Sequence, residues 1–487
     1  GAIGHTLLAV QARLPALQGR YPRLRGKRLE DLRILLVQAG GFGTRFTPGS
    51  SDGSKTLMPI PIALSNGVQA TSMDLALLGS YKFTQALKEA GRAGLVVLNG
   101  DGILLTEPQL VDGIALMTNP ESILAAENKL GVVVVSPAEP RPVQVFLEKP
   151  NRAGMQANRT LEAQINFGDL DARQLDTNTA SFIVSTADPA AYAAFLNDGF
   201  LAINRIVQDR LREGQSIYEI DTSTDYFIPL TVSEEVYLRQ RLLGKLELVE
   251  PVGEDQWAQL EQGEDLHLRH QLKDAAGETV IAEATVSHDQ YAFYHAIYTL
   301  VQEHFPSLLA PAQNPLRTYF VDYGDMGTWY AGVTGQDSLS AALGYRSWIQ
   351  ANVAPEVRAD ETSKVYQSAI ESGSTLGTGS IVYASRLLDS SQVGAGSVIY
   401  RVHGYVETAP DTLLNQAPIR TDDLTGWVML YTGREEQLPK TVGEGTLFGR
   451  PANEVLAGWQ TPDGQPLLEA LGVAYDEKTP LMDLPIW

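Results

Sequence analysis

The densest concentration of chemistry in the sequence lies between residues 39 and 62, AGGFGTRFTPGSSDGSKTLMPIPI. Gly40, Gly41 and Gly43 leave the backbone bare there, so its N–H groups can approach phosphate oxygens that any side chain would hold off. Ala39 and Thr44 flank them, and Arg45 and Lys55 add two fixed positive charges to the same loop. That combination suits a nucleoside triphosphate from which pyrophosphate must leave: the glycines cradle it, and Arg45 and Lys55 stabilise the departing charge. Two better-known phosphate loops fit less well. A Walker A loop requires G-x-x-x-x-G-K-[ST]; Gly49, Gly53, Lys55 and Thr56 approach it, but the glycine spacing is one short and Ser54 stands before the lysine. A dinucleotide fingerprint requires a third glycine where Phe46 stands. A plain strand-to-helix glycine turn would need neither basic residue, nor Pro59 and Pro61, which stiffen the exit of the loop.

Carboxylates come next. Asp101 closes the run Leu98-Asn99-Gly100-Asp101 at the end of an apolar strand, with Asn99 and Gly100 on the nucleotide side. Ligands of open α/β sheets bind at the carboxyl ends of strands, and a carboxylate there can hold Mg²⁺ against a phosphate. The bland alternative is an aspartate terminating a strand and capping a turn. Asp322, in Tyr319-Phe320-Val321-Asp322-Tyr323-Gly324, is the first choice for a second metal carboxylate; Asp225 and Asp325 are the alternatives. On the sugar-phosphate side, Glu148 and Lys149 follow a strand, and the lysine can offset the charge of an attacking phosphate. Asn178 precedes another strand, where its amide can bond sugar hydroxyls or simply close an Asx turn. Asp225 belongs to this side as well. No histidines stand in metal spacing, no nucleophile elbow occurs, and there is no cysteine for covalent or thiolate chemistry.

These residues need a scaffold that presents strand ends. Apolar runs at residues 33–39, 94–98, 131–136, 143–147 and 181–185 read as strands. Helices are expected over 72–90 and 189–196, so the pattern is a Rossmann-like, doubly wound α/β sheet. Residues 231–310, rich in Glu, Gln and Leu, read as a mostly helical insertion. Beyond residue 365 the period changes: Ile370, Leu376, Val382, Leu388, Val393 and Ile399 recur about every six residues among glycines and serines. That spacing winds a parallel β-helix, expected to be left-handed, whose ends must be capped by the tail or by another subunit in a homo-oligomer. The expected plan is a helical segment at 1–30, the α/β domain at 31–335, a linker at 336–364, and β-helix plus cap at 365–487.

Composition narrows the partners. The chain has 487 residues, 20% of them charged, and a formal net charge of −21, which argues against nucleic acid as a partner of the whole molecule. No apolar run is long enough to cross a membrane, and the first 30 residues lack a signal-peptide pattern, so the expected compartment is the cytoplasm.

The chain resembles the sugar-1-phosphate nucleotidyltransferases over residues 31–335. The segments in order are AGGFGTR, SKTLMPIPI, VLNGD, FLEKP, DTNTASFIVS, YEIDTSTDY and YFVDYGDMGT. With the C-terminal GTLFGRPANEVLAGW and PLMDLPIW, it is most similar to the L-fucose-1-phosphate guanylyltransferases, including the transferase half of the bifunctional fucokinase/GDP-fucose pyrophosphorylases. The resemblance implies a Mg²⁺-dependent reaction of GTP with L-fucose 1-phosphate to give GDP-fucose and pyrophosphate. UTP, or another sugar, stays open, because Gly43-Thr44-Arg45 is typical of the wider superfamily. No kinase phosphate loop is found, so a transferase alone is expected. Two other classes compete: a β-helix acyltransferase using His403, and a non-catalytic nucleotide-sugar sensor.

Overall fold

The computed structural model describes residues 2–38, 57–100, 102–107, 109–136, 141–147, 149–212, 227–243, 246–273, 279–310, 319–323, 325–335, 340, 343–420, 425–436, 440–481 and 484. The chain divides into two compact units. The first holds Gly1–Gln38, Ser80–Leu98 and Thr106–Thr318; the second holds Ala39–Gly79, Asn99–Leu105 and Tyr319–Trp487. Among the described residues no helix is long and apolar enough to cross a membrane.

In chain order the strands before the solenoid are β1 (Arg33–Gln38), β2 (Pro59–Ala63), β3 (Gln69–Thr71), β4 (Gly94–Asn99), β5 (Gly102–Leu105), β6 (Gly113–Glu121) and β7 (Val132–Val135). They continue with β8 (Val143–Leu147), β9 (Leu175–Ser185), β10 (Glu247–Leu248), β11 (Leu266–Lys273), β12 (Thr279–Val286), β13 (Leu308–Leu309) and β14 (Tyr319–Asp322).

The first unit is built on a seven-stranded sheet in the order β1-β4-β9-β6-β13, with β7 on β9 and β8 on β7. Leu95, Val96 and Val97 are fully buried on both faces of β4, which is why that strand reads as an unbroken apolar run. The sheet is mixed, not parallel throughout: β9 runs antiparallel to β4, β6 and β7. Strand β6 escapes a sequence reading because Asn119-Pro120 interrupts it. Pro120 is tolerated because β13 pairs only with Ile114 and Ala115, so among the described residues no strand pairs with the far end of β6 on that side. Helix Ala2–Arg20 supplies Leu7 to the same core, together with Tyr192, Phe195 and Phe200.

Residues 231–310 contain helices Glu234–Leu243, Glu254–Glu261 and His288–His304, but also the antiparallel sheet β10-β11-β12. The helical expectation there missed a hairpin whose alternating Leu266 and Leu268 are buried while their neighbours face outward.

In the second unit the chain winds a parallel solenoid. Its first strand is Trp348–Ile349, so the coils begin inside the segment expected to be a linker. Strands repeat every 17 residues, Val365 over Val382 over Ile399, until the last coil, where Leu413 stacks on Val398 after 15. Inward positions are Val365, Ile370, Leu376, Val382, Leu387, Val393 and Ile399, a spacing of five, six and six. Leu388, expected inside, is 41% exposed, and Leu387 fills the core instead, since the short side of each coil follows Val382. Buried serines line the corners. The Ser368 hydroxyl accepts from Ser385 N at 3.0 Å and that of Ser385 from Val402 N at 3.0 Å, so small polar residues satisfy the backbone of the next coil. A hairpin, Thr412–Arg420 with Thr425–Gly433, ends the stack, followed by a small core around Leu447, Leu456 and Leu481.

Candidate active site

In the second unit β14 lies antiparallel to β5, and Asp322 is the partner of Gly102. Asp101 itself lies outside the described residues, but the pairing puts Asp322 beside the residue that follows it in the chain. Of the three aspartates considered for the second carboxylate, Asp225 is also outside the described residues. Asp325 has another occupation: it is the N-cap of helix Met326–Val333, its Oδ1 accepting from Thr328 N at 2.9 Å. Asp322 is exposed at the end of its strand, where a ligand's charge can reach it. Gly102 is where this approach is tightest. A Cβ there would stand 2.8 Å from the Phe320 ring and 3.4 Å from Asn99 Nδ2. Asn99 ends β4 and Gly100 forms the bend that follows, so both expected nucleotide-side residues reach this strand end. Ala39, Gly40, Gly41, Gly43, Thr44, Arg45 and Lys55 lie outside the described residues.

Among the described residues no group of three or more His, Cys, Asp or Glu could hold a metal. A Mg²⁺ site asks for less: one or two protein carboxylates, with phosphates and waters completing the shell. Aspartate oxygens at position 322 and at position 101, the residue before Gly102 in the chain, are the donor type that chemistry asks for.

The first unit gathers the sugar-side residues. Val132 pairs with Leu147 of β8 and with Thr177 of β9. Lys149, two residues past Leu147, and Asn178, one past Thr177, therefore share one end of the sheet. Glu148, just before Lys149, lies outside the described residues. Lys149 sits in the left-handed region, at φ 43°. Asn178 stands at a bulge, where the register jumps from Thr118↔Asn178 to Met117↔Ser181. Its Oδ1 accepts from Ala180 N at 3.1 Å, closing an Asx turn, and so holds Ala180 at φ 54°. The side chain is thus pinned through its oxygen, leaving the amide nitrogen as its donor face.

Asp176 was missed in the sequence. Its carboxylate takes Arg141 Nη2 at 2.6 Å and the Thr118 hydroxyl at 3.0 Å, with both members of the ion pair more than four-fifths buried. Thr177 and Thr179 donate to the carbonyls of Asn119 and Met117. This polar lattice keeps the bulge rigid beneath Asn178. The one available signal was the run Asp176-Thr177-Asn178-Thr179, too polar for a buried strand without partners.

A search of curated proteins finds no match. Among solved structures the chain is similar to one described as mannose-1-phosphate geranyltransferase from Thermus thermophilus, with 15% identity and a TM-score of 0.29, covering 81% of this chain and 94% of that one. The model of the fucose pyrophosphorylase domain matches residues 26–274, just over half of the chain. It spans the glycine-rich loop, Asn99 to Asp101, Lys149, the Asn178 bulge and Asp225, and on that match the protein belongs to the fucose pyrophosphorylase family and is a sugar-1-phosphate nucleotidyltransferase.

Proposed function

We propose that the protein joins GTP to L-fucose 1-phosphate, releasing GDP-fucose and pyrophosphate. The family match over residues 26–274 carries this reading. A phosphate oxygen of the sugar phosphate attacks the α-phosphorus in line; the bond to the β-phosphate oxygen breaks, and pyrophosphate departs with the electron pair. No covalent intermediate is required, and the chain has no cysteine to form one. Catalysis is then positioning plus charge neutralisation. Lys149, at the sheet end beside Asn178, holds the attacking phosphate. Asn178 offers its amide N–H to a sugar hydroxyl, its oxygen being committed to Ala180. Arg45 and Lys55 stabilise the leaving pyrophosphate, while Gly40, Gly41 and Gly43 receive the nucleotide. Asp101 and Asp322 would hold Mg²⁺, which supplies charge neutralisation at the phosphates. Asp322 is favoured over Asp325, whose carboxylate caps a helix.

The test is pyrophosphate release from GTP and UTP, each with L-fucose 1-phosphate and other sugar 1-phosphates. GTP with L-fucose 1-phosphate should give the highest kcat/KM. A preference for UTP or another sugar would overturn the assignment of base or sugar and leave the reaction class standing. Asp322→Asn should lower kcat by about 10²–10³-fold, by analogy with loss of one preorganised charge-stabilising group. Lys149→Ala should raise KM for the sugar phosphate more than for GTP.

A further inference from the structure

The solenoid touches the helix that follows Asp322. In the second unit, helix Met326–Val333 begins four residues after Asp322 and presents two aromatic side chains. Trp329, 1% exposed, donates from Nε1 to the Pro59 carbonyl at 3.3 Å, at the start of β2, the strand that follows the glycine-rich loop in the sequence. Tyr330 faces the coils. Its hydroxyl donates to the Gly379 carbonyl at 2.7 Å, and the Arg434 guanidinium lies over its ring at 3.9 Å. Arg434 also donates to the Gly396 carbonyl at 2.8 Å and pairs with Asp411 at 3.0 Å and Glu435 at 2.7 Å.

Gly379, Gly396 and Asp411 are the same turn position on three successive coils, two residues before the aligned strand positions Ile381, Val398 and Leu413, at φ 66°, 66° and 54°. The two glycines answer two demands at once. They adopt a left-handed backbone, and they leave room: a Cβ on Gly379 would come 2.6 Å from the Tyr330 hydroxyl, and one on Gly396 would come 2.8 Å from Arg434 Nη1. This column of turns is shaped to receive Tyr330 and Arg434.

We propose that Arg434 is a positioning residue for nucleotidyl transfer: clamped against Tyr330, it fixes the helix that aligns Asp322 with β5 at one side and the exit of the glycine-rich loop, through Trp329, at the other. The proposal rests on the reading of Asp322 as a metal carboxylate. Both carboxylate partners of Arg434 are about two-thirds exposed, so removing the guanidinium strands no buried charge. Lysine keeps the charge but neither the flat stack on Tyr330 nor the forked donors.

The experiment uses the full-length chain with Arg434→Met, Arg434→Lys and Tyr330→Phe, and Arg386→Met as control. Arg386 pairs with Glu371 on the solenoid surface and has no part in the clamp. Three quantities are measured: kcat and KM; Mn²⁺ affinity without substrates by electron paramagnetic resonance; and amide hydrogen exchange of peptides covering 319–335. Arg434→Met should lower kcat about tenfold with KM for the sugar phosphate little changed, as expected of a small misplacement. It should also weaken Mn²⁺ binding and speed exchange in 319–335, with Arg434→Lys recovering only part of the loss and Arg386→Met behaving as the parent. Parent-like kcat, Mn²⁺ affinity and exchange in Arg434→Met, or equal losses in Arg386→Met, overturn the clamp. If Arg434→Met fails to fold, Arg434→Lys, which loses the stack, and Tyr330→Phe, which loses the hydroxyl's bond to Gly379, decide on the same readouts: faster exchange and lower kcat in either support the clamp, and parent values in both overturn it. Asp322→Asn separates the two layers. Unchanged Mn²⁺ affinity there overturns the metal reading, and the clamp is then decided by exchange alone. Lost affinity there beside a normal Arg434→Met overturns the clamp.

Discussion

Gly102 carries a constraint out of proportion to its size. It is the point where β5 passes the Phe320 ring of β14, and a methyl group there needs space that is already occupied 2.8 Å away. Gly102→Ala should push the Asp322 end of β14 away from β5 and reduce turnover more than it reduces the unfolding temperature. Equal activity in the variant, by steady-state kinetics, would show that this strand pairing does not matter to the chemistry. Glu436 is a second informative residue. It is 8% exposed, its Oε1 accepts from Phe448 N, and burial pushes its carboxyl from the ordinary 4.5 up to about 7. The folded state therefore favours the protonated form. That contribution to stability is complete below about pH 4.5 and is lost as pH rises through 7, because the unfolded chain releases the proton first. Glu436→Gln keeps the acceptor without the charge. Thermal unfolding should find it more stable than the parent at pH 8, by on the order of 2 kcal/mol, and near parity at pH 4. A difference independent of pH would refute the burial argument.

At the scale of elements, what could be read in advance depended on whether the signal was local. Strand β7 and the run that became β4 are continuous apolar segments, and both lie where their residues put them. The solenoid announced itself by its period, yet the period was read one residue out at Leu388, because two leucines stand side by side and only packing shows that Leu387 turns inward. Strand β11 was hidden in a stretch whose Leu- and Gln-rich composition suits helices. The pairing of Asp322 with Gly102 spans more than two hundred residues of chain. No local pattern encodes it, so the order Asp322, then Asp225 and Asp325, rested on sequence alone until Asp325 proved to be a helix cap. Asn178 shows the reverse: the bland Asx-turn reading is correct in its geometry, and that turn commits the amide oxygen to Ala180 N.

For the molecule as a whole, the boundary between domains is not where the α/β pattern stops. In the second unit one core contains Met58 and Ile60, Trp329 from the helix after Asp322, and Tyr366, Tyr383 and Tyr400 from three successive coils. Residues far apart in the chain therefore share one hydrophobic interior, and burial of that apolar surface is what holds them. Limited proteolysis should give no stable fragment ending between residues 336 and 364, the stretch expected as a linker. A chain truncated after residue 345 should be insoluble or lack a cooperative thermal transition. Recovery of a folded, active 1–345 fragment would show the solenoid to be an independent appendage.

The coil repeat has a consequence for how the chain can change length. Ordinary surface loops absorb insertions one residue at a time at small entropic cost. Here a single inserted residue shifts every later side chain around the coil, taking an inward valine to a corner and a corner serine to the core. Length is therefore quantised in whole coils, 17 residues from Val365 to Val382 and 15 in the last coil, from Val398 to Leu413. Even a whole added coil is admissible only outside Gly379 to Asp411, since Tyr330 and Arg434 reach across a fixed number of turns there. That stretch of the solenoid works as a ruler, and the rest as removable track.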